Sequence, residues 1–264
     1  MNNIALGRYL PLDSIIHKLD PRAKIVAMLL VMIAIFIPAG FYGYGVIAGF
    51  VSLGLFLGKL SFSMIIRAMK PMLFMLSFLT LINIFVIRTG VVLLSLSFIT
   101  IYSDALSQTA YITTRLLLMI MTTTLLTAST KPLDLTLGIE DLLKGFKRFG
   151  FPAHEVAMMI SIALRFIPTL IEETERIMKA QASRGVDLKE GSLKEKLMAI
   201  LSLVVPLFVS SFQRAEELAD AMEARGYVPS AHRTRYKILK RTFKDLILVG
   251  LSFVLLGTLI WLSL

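Results

Sequence analysis

Residues 25–58 read IVAMLLVMIAIFIPAGFYGYGVIAGFVSLGLFLG, 34 residues without a charge. Each helical residue rises about 1.5 Å, so roughly 20 apolar residues cross a hydrocarbon layer. The stretch is long enough for two crossings if it folds back, and Pro38-Ala39-Gly40 supplies the break. It predicts span one over residues 23–39 and span two over 41–58. Working outward, span three falls at 71–88, with Pro71 in a favourable first helical position. Span four falls at 105–128 and span five at 244–264. Residues 89–103 are apolar but rich in β-branched and serine residues, and read as a short or re-entrant segment.

The whole chain has 264 residues, 56% of them hydrophobic and 17% charged, with a net charge of +10. Soluble domains carry about 25% charged residues, so a simple soluble enzyme is disfavoured. The charges are segregated: residues 129–245 hold 19 Lys/Arg and 15 Asp/Glu, whereas 246–264 hold none. A basic chain with such apolar runs suits an anionic membrane surface and not nucleic acid. The absence of cysteine excludes a disulfide scaffold, a thiolate metal site and a cysteine nucleophile. His17, His154 and His232 are too far apart for ligand spacing, so no metal site is expected. The first apolar run starts at Ile25 and continues too far for the core of a cleavable signal.

Basic residues fix the orientation. Arg8, Lys18, Arg22 and Lys24 precede span one; Lys59, Arg67 and Lys70 follow span two; the 19 Lys/Arg follow span four. The remaining links hold only Arg88. Five alternating spans place every basic segment in the cytoplasm of a plasma or inner membrane protein, with the N-terminus inside and the C-terminus outside. Val156–Leu164 and Leu197–Gln213 are also uncharged. An extra hairpin there would export 172–196 with six Lys/Arg, against the same rule. Two long cytoplasmic helices with apolar halves at the membrane domain or its inner surface fit better.

The fold class is therefore all-α: a polytopic membrane protein of about five transmembrane helices, with a membrane domain over 1–128, a cytoplasmic region over 129–235 and a last span. In the cytoplasmic region, Leu133, Leu137, Leu142, Phe146 and Phe149 mark an amphipathic helix over 133–149. Gly150-Phe151-Pro152 breaks it. A second helix runs 153–183, with Gly185 able to cap its end. Gly191-Ser192 opens a third over 193–224, with Ser192 as N-cap and Gly226 past its end. The two long helices match. Pro168 and Pro206 should kink them. Ser183-Arg184-Gly185 and Ala224-Arg225-Gly226 end them, with Glu175 and Glu216 nine residues before each arginine. An arginine at a helix end compensates the helix dipole. It also offers a rigid fork of donors suited to a carboxylate-bearing groove on a partner. Both readings stand at this point.

Tests for an active site come back empty. Gly54-Leu55-Phe56-Leu57-Gly58-Lys59-Leu60-Ser61 has three residues between its glycines where a nucleotide loop needs four, and Leu60 separates the lysine from the serine. Gly45/Gly49 and Gly54/Gly58 instead have the four-residue spacing that permits close helix contact, within this chain or with a partner's membrane helix. Arg115 is an ionisable group inside span four and reads as snorkelling or as a structural hydrogen-bond donor. The fourteen methionines read as adaptable packing.

These residues resemble a known family. Leu19-Asp20-Pro21-Arg22-Ala23-Lys24 ahead of span one is similar to the opening motif of the transmembrane T component of energy-coupling factor (ECF) importers of vitamins and metals. Gly150-Phe151-Pro152-Ala153-His154 and Ile162-Ala163-Leu164-Arg165-Phe166-Ile167-Pro168 are similar to that family's stretch ahead of its coupling helices. Gln181-Ala182-Ser183-Arg184-Gly185 and Glu223-Ala224-Arg225-Gly226-Tyr227 resemble its two X-Arg-X coupling signatures, with Ser183 where alanine is common. The resemblance implies two ABC-type ATPase partners, each receiving one coupling arginine, and a small membrane S component that binds the vitamin. ATP and Mg would sit on the ATPases, and this chain would hold no cofactor and catalyse nothing. Spans one to three, with Gly45 and Gly49, and the apolar halves of the coupling helices, with Pro168 and Pro206, would form the S-component platform. A secondary transporter or a membrane scaffold without ATPases is the alternative.

The charge reading makes a direct prediction. In this cysteine-free chain a single Glu190→Cys thiol should react with a membrane-impermeant maleimide in inside-out vesicles and stay unlabelled in intact cells; the opposite pattern would establish the exported hairpin.

Overall fold

Aspartate and proline set the start of the first helix. Asp20 has extended backbone and its carboxylate accepts the Arg22 amide, while Pro21 has no amide hydrogen to leave unpaired. The computed structural model describes residues 9–87, 89–96, 99–145, 152–186, 192–228 and 239–263. Its helices are α1 (Pro21–Phe36), α2 (Gly40–Leu57), α3 (Phe62–Val86), α4 (Ser103–Ser129), α5 (Pro132–Leu143), α6 (Ala153–Ser183), α7 (Leu193–Ala224) and α8 (Phe243–Ser263). The chain divides into two units. Unit 1 comprises 1–142 and 239–264, and unit 2 comprises 143–238.

In unit 1 the core lies among α1, α2, α4 and α8, with Ile35, Ile47, Leu118 and Leu259 almost fully enclosed. α3 packs on α4, where the Asn83 side-chain amide donates to the Thr109 hydroxyl at 3.0 Å. The outward faces are the inverse of a soluble protein's. Phe36, Phe56, Phe74, Leu246, Val254 and Trp261 are all more than half exposed. Such a girdle is costly in water and is the surface that lipid covers. The chain is an all-α, multi-pass membrane protein; among the described residues five helices are long and apolar enough to cross a bilayer.

By length and composition those five are α2, α4, α6, α7 and α8. α1 has 16 residues, and in α3 the apolar part is only Phe74–Val86. Two sequence expectations change. Span three does not begin at Pro71: α3 starts at Phe62 and runs through that proline, which helices of membrane proteins tolerate when neighbours satisfy the freed carbonyl. Residues 89–103 contain an antiparallel hairpin, β1 (Val92–Leu96) and β2 (Ile99–Tyr102), pairing Leu94 with Ile101 and Leu96 with Ile99. Its β-branched residues favour that extended backbone over a re-entrant helix. α5 ends at Leu143; Phe146, Phe149, Gly150, Phe151 and Gly191, like Arg88 and His232, lie outside the described residues.

A polar clasp joins elements far apart in the chain. The Asp245 carboxylate at the start of α8 accepts the Asp20 amide at 2.8 Å and the Thr242 amide at 2.6 Å. Arg22 pairs with Asp141 of α5. Lys24 donates to the Ser129 carbonyl at 3.0 Å and the Thr130 hydroxyl at 3.1 Å, placing a cation at the negative end of α4. α5 approaches so closely that a Cβ on Gly138 would lie 3.2 Å from Pro21. Asp20, Lys24 and Asp245 are all buried.

Replacing Asp245 by alanine should lower the unfolding free energy by about 2–4 kcal/mol, the loss of two charge-assisted hydrogen bonds. Asp13→Ala, which breaks only the exposed 2.9 Å pair with Lys18, should leave stability nearly unchanged. Equilibrium unfolding of the purified chain in mixed micelles compares the two; equal losses would deny the clasp its role.

Candidate functional site: two arginine tips

The two long helices of unit 2 begin and end by local chemistry. Ser192 caps α7 through a reciprocal box: its hydroxyl accepts the Glu195 amide and the Glu195 carboxylate accepts the Ser192 amide at 2.7 Å. Pro168 and Pro206 lie inside α6 and α7, and neither ends its helix. The helices pack antiparallel. Arg214 pairs with Glu173 at 3.3 Å, and Gln181 donates to the Ser202 carbonyl at 3.2 Å.

Their C-termini are copies of one device. After α6 the Val186 amide reaches the Gln181 carbonyl at 3.0 Å and the Gly185 amide reaches Ala182 at 3.0 Å. After α7 the Tyr227 amide reaches Met222 at 2.9 Å and the Gly226 amide reaches Glu223 at 2.8 Å. Each is a Schellman closure, in which the residue past the cap must turn left-handed. Gly185 has φ +82° and Gly226 has φ +72°. That geometry fixes the cap residue, which is arginine in both cases: Arg184 with φ −91° and Arg225 with φ −88°. Both arginines are exposed, as are Ser183 and Ala224 before them. Neither guanidinium forms an ion pair among the described residues. Small neighbours and a glycine leave each fork of donors unobstructed. A carboxylate-lined groove is what such a tip can enter.

The glycine pairs of α2 separate. Gly54 packs inside the chain, where a Cβ would lie 2.9 Å from Leu125, and Gly58 would meet the same leucine at 3.4 Å. Gly45 and Gly49 have open space above them. They share an exposed face with Tyr42, Val46 and Leu53. On α7, Val204, Val205, Phe208, Val209 and Phe212 are exposed around Pro206.

Arg115 is held within unit 1. Its Nε donates to the Tyr44 hydroxyl at 2.9 Å, and its guanidinium lies 5.5 Å from the Phe36 ring centre and 5.8 Å from that of Tyr111. Aromatic faces and a phenol surround the guanidinium and give it the structural hydrogen-bond role expected of it. Sequence reasoning missed the Asp20–Asp245 contact, because no local pattern links residues so distant.

The chain has clear relatives. Residues 13–236 match the family described as CbiQ, cobalt transport protein. A protein of Macrococcus caseolyticus is 46% identical over 90% of both chains. One of Bacillus subtilis is 41% identical over 99% of this chain and 98% of its own length, and one of Acidaminococcus fermentans is 44% identical over the same shares. All three carry the name energy-coupling factor transporter transmembrane protein EcfT.

Gly185→Ala and Gly226→Ala each force a Cβ into the left-handed region, at about 1–2 kcal/mol. Hydrogen exchange at the Val186 and Tyr227 amides should accelerate about 5- to 30-fold, with the Leu118 amide unchanged. Unaltered exchange at both caps would contradict the closure.

Proposed function

We propose, since the chain belongs to the CbiQ family and is an EcfT-type transmembrane component of an energy-coupling factor transporter, that Arg184 and Arg225 couple it to two ABC-type ATPases. Each arginine enters a groove on one ATPase. The small residues Ser183, Gly185, Ala224 and Gly226 let the helix ends come close. ATP with Mg binds and is hydrolysed on those partners, and this chain supplies no catalytic group or cofactor. A small S component in the membrane binds the vitamin or metal. Closure of the ATPases moves α6 and α7, and that motion reorients the S component to release its cargo inward.

The observation that carries this assignment is the matched pair of exposed arginines in identical caps. Dipole compensation would stabilise each helix by about 0.3–1 kcal/mol, and any basic residue in the last turn would provide it. Two copies of the same left-handed closure beside the same residue suit two similar grooves. The open Gly45–Gly49 face of α2 and the exposed apolar surface of α7 around Pro206 suit the S component, with Pro168 of α6 also exposed. Within this reading α1 to α4 and α8 cross the membrane. α6 and α7 stay on the cytoplasmic side, where their 19-residue share of Lys/Arg with the flanking links belongs. The N-terminus is then cytoplasmic and the C-terminus extracytoplasmic.

Losing one side of a buried charge pair costs about 2–5 kcal/mol. Arg184→Ala with Arg225→Ala should therefore abolish ATP-driven uptake by the reconstituted complex and weaken ATPase retention at least about 30-fold, with the chain's melting temperature unchanged. Uptake at the unmodified rate would remove the coupling role. Gly45→Leu with Gly49→Leu should spare ATPase retention and impair S-component capture; intact capture would take the glycine face out of the platform.

A further inference from the structure

The end of the unit 1 bundle where α2 stops and α1 and α8 start carries a feature that coupling does not use. Two hollows adjoin there. The outer one, about 700 Å³, is lined by Lys18, Lys59 and Lys244 together with Asp13, Phe56 and Thr242. The inner one, about 270 Å³, is an apolar crevice walled by Val31, Phe50, Leu125, Leu248 and Leu251. Ile15, Leu19, Leu57 and Lys244 line both, so the basic mouth leads into the crevice.

The charges at the mouth are not equivalent. Lys18 is paired with Asp13 at 2.9 Å, and hydrogen bonding and charge from Lys18 hold the Asp13 carboxyl below the usual carboxylate range. Lys59 and Lys244 are exposed and form no ion pair among the described residues. Lys24, in the crevice wall, is committed to the end of α4. Lys59 also holds an unusual backbone. Its φ is +54°, a position past a helix end where glycine is the ordinary choice, and the Leu60 amide closes on Leu55 at 3.1 Å. Phe56, 80% exposed, lines the mouth, and Phe243, next to Lys244 in the chain, is 74% exposed.

We propose that this is a binding site for an anionic phospholipid, with Lys59 and Lys244 holding the headgroup phosphate and one acyl chain lying in the crevice between α2 and α8. Charge and shape select the class. A free phosphate leaves the crevice empty, and an uncharged hydrocarbon leaves two lysines unengaged. An anionic lipid fills both. The site lies where a bilayer surface meets the bundle, so it depends on unit 1 being embedded and not on the arginine tips.

Native mass spectrometry of the full chain in mild detergent tests it, with phosphatidylglycerol, phosphatidylcholine of the same acyl chains, and inorganic phosphate as probes. Two lysines near an anionic surface supply about 30-fold. The unmodified chain should retain phosphatidylglycerol over phosphatidylcholine by about that factor. Lys59→Gln with Lys244→Gln should erase the preference, and Lys59→Arg with Lys244→Arg should keep it. Leu251→Trp, which fills the crevice, should reduce retention of both lipids. Melting curves that match the unmodified chain separate loss of the site from loss of the fold. An unchanged preference in the glutamine variant, full retention by Leu251→Trp, or displacement of the lipid by millimolar phosphate would each overturn the site.

Discussion

The buried contact between the Asp20 amide and the Asp245 carboxylate sets the frame of this molecule. Apolar packing discriminates poorly between positions of one membrane helix along another, because lipid tails are as apolar as leucine. A buried acceptor with two designated donors does discriminate. Asp245 fixes where α8 starts against the first turn of α1. Arg22 and Lys24, in that same first turn, fix α5 and the end of α4 to it. Four helices thus meet at one short motif, and the apolar core among α1, α2, α4 and α8 follows from that register.

The clasp also defines what unit 2 is. Residues 143–238 leave unit 1 after α5 and return to it before α8, so both ends of the inserted segment connect to the clasped region. Its two helices add matched tips whose arginines form no ion pair among the described residues, and unit 1 adds a glycine face on α2 with open space above it. A subunit built to be contacted from several sides leaves such surfaces uncovered.

Local chemistry made the helix ends legible. Ser192, Gly185 and Gly226 act through bonds within a turn of themselves, and each occupies the position its chemistry indicates. Pro71 misled because proline is equally at home at a helix start and inside a membrane-protein helix with satisfied neighbours. The hairpin at Val92–Tyr102 escaped because short apolar runs do not distinguish strand from helix. In the candidate site, the four-residue glycine spacing was visible. Which pair packs inside the chain depends on Leu125 of α4, beyond any local pattern. Arg115 is a structural hydrogen-bond donor, as its place in a span allowed; its acceptor is Tyr44, with two aromatic rings beside it. Asp245 carried no local signal of its role, since its partner stands 225 residues away.

The most direct test of the coupling role is to recover the chain from its native membrane in mild detergent, identify every retained protein by mass spectrometry and assay the eluate for ATP hydrolysis. Two ABC-type ATPases with one or more small membrane proteins and ATPase activity are the expected result, and several different small proteins would mark a shared component. Recovery of the chain alone, stable and without ATPase, would contradict the account and favour a transporter that works unaided.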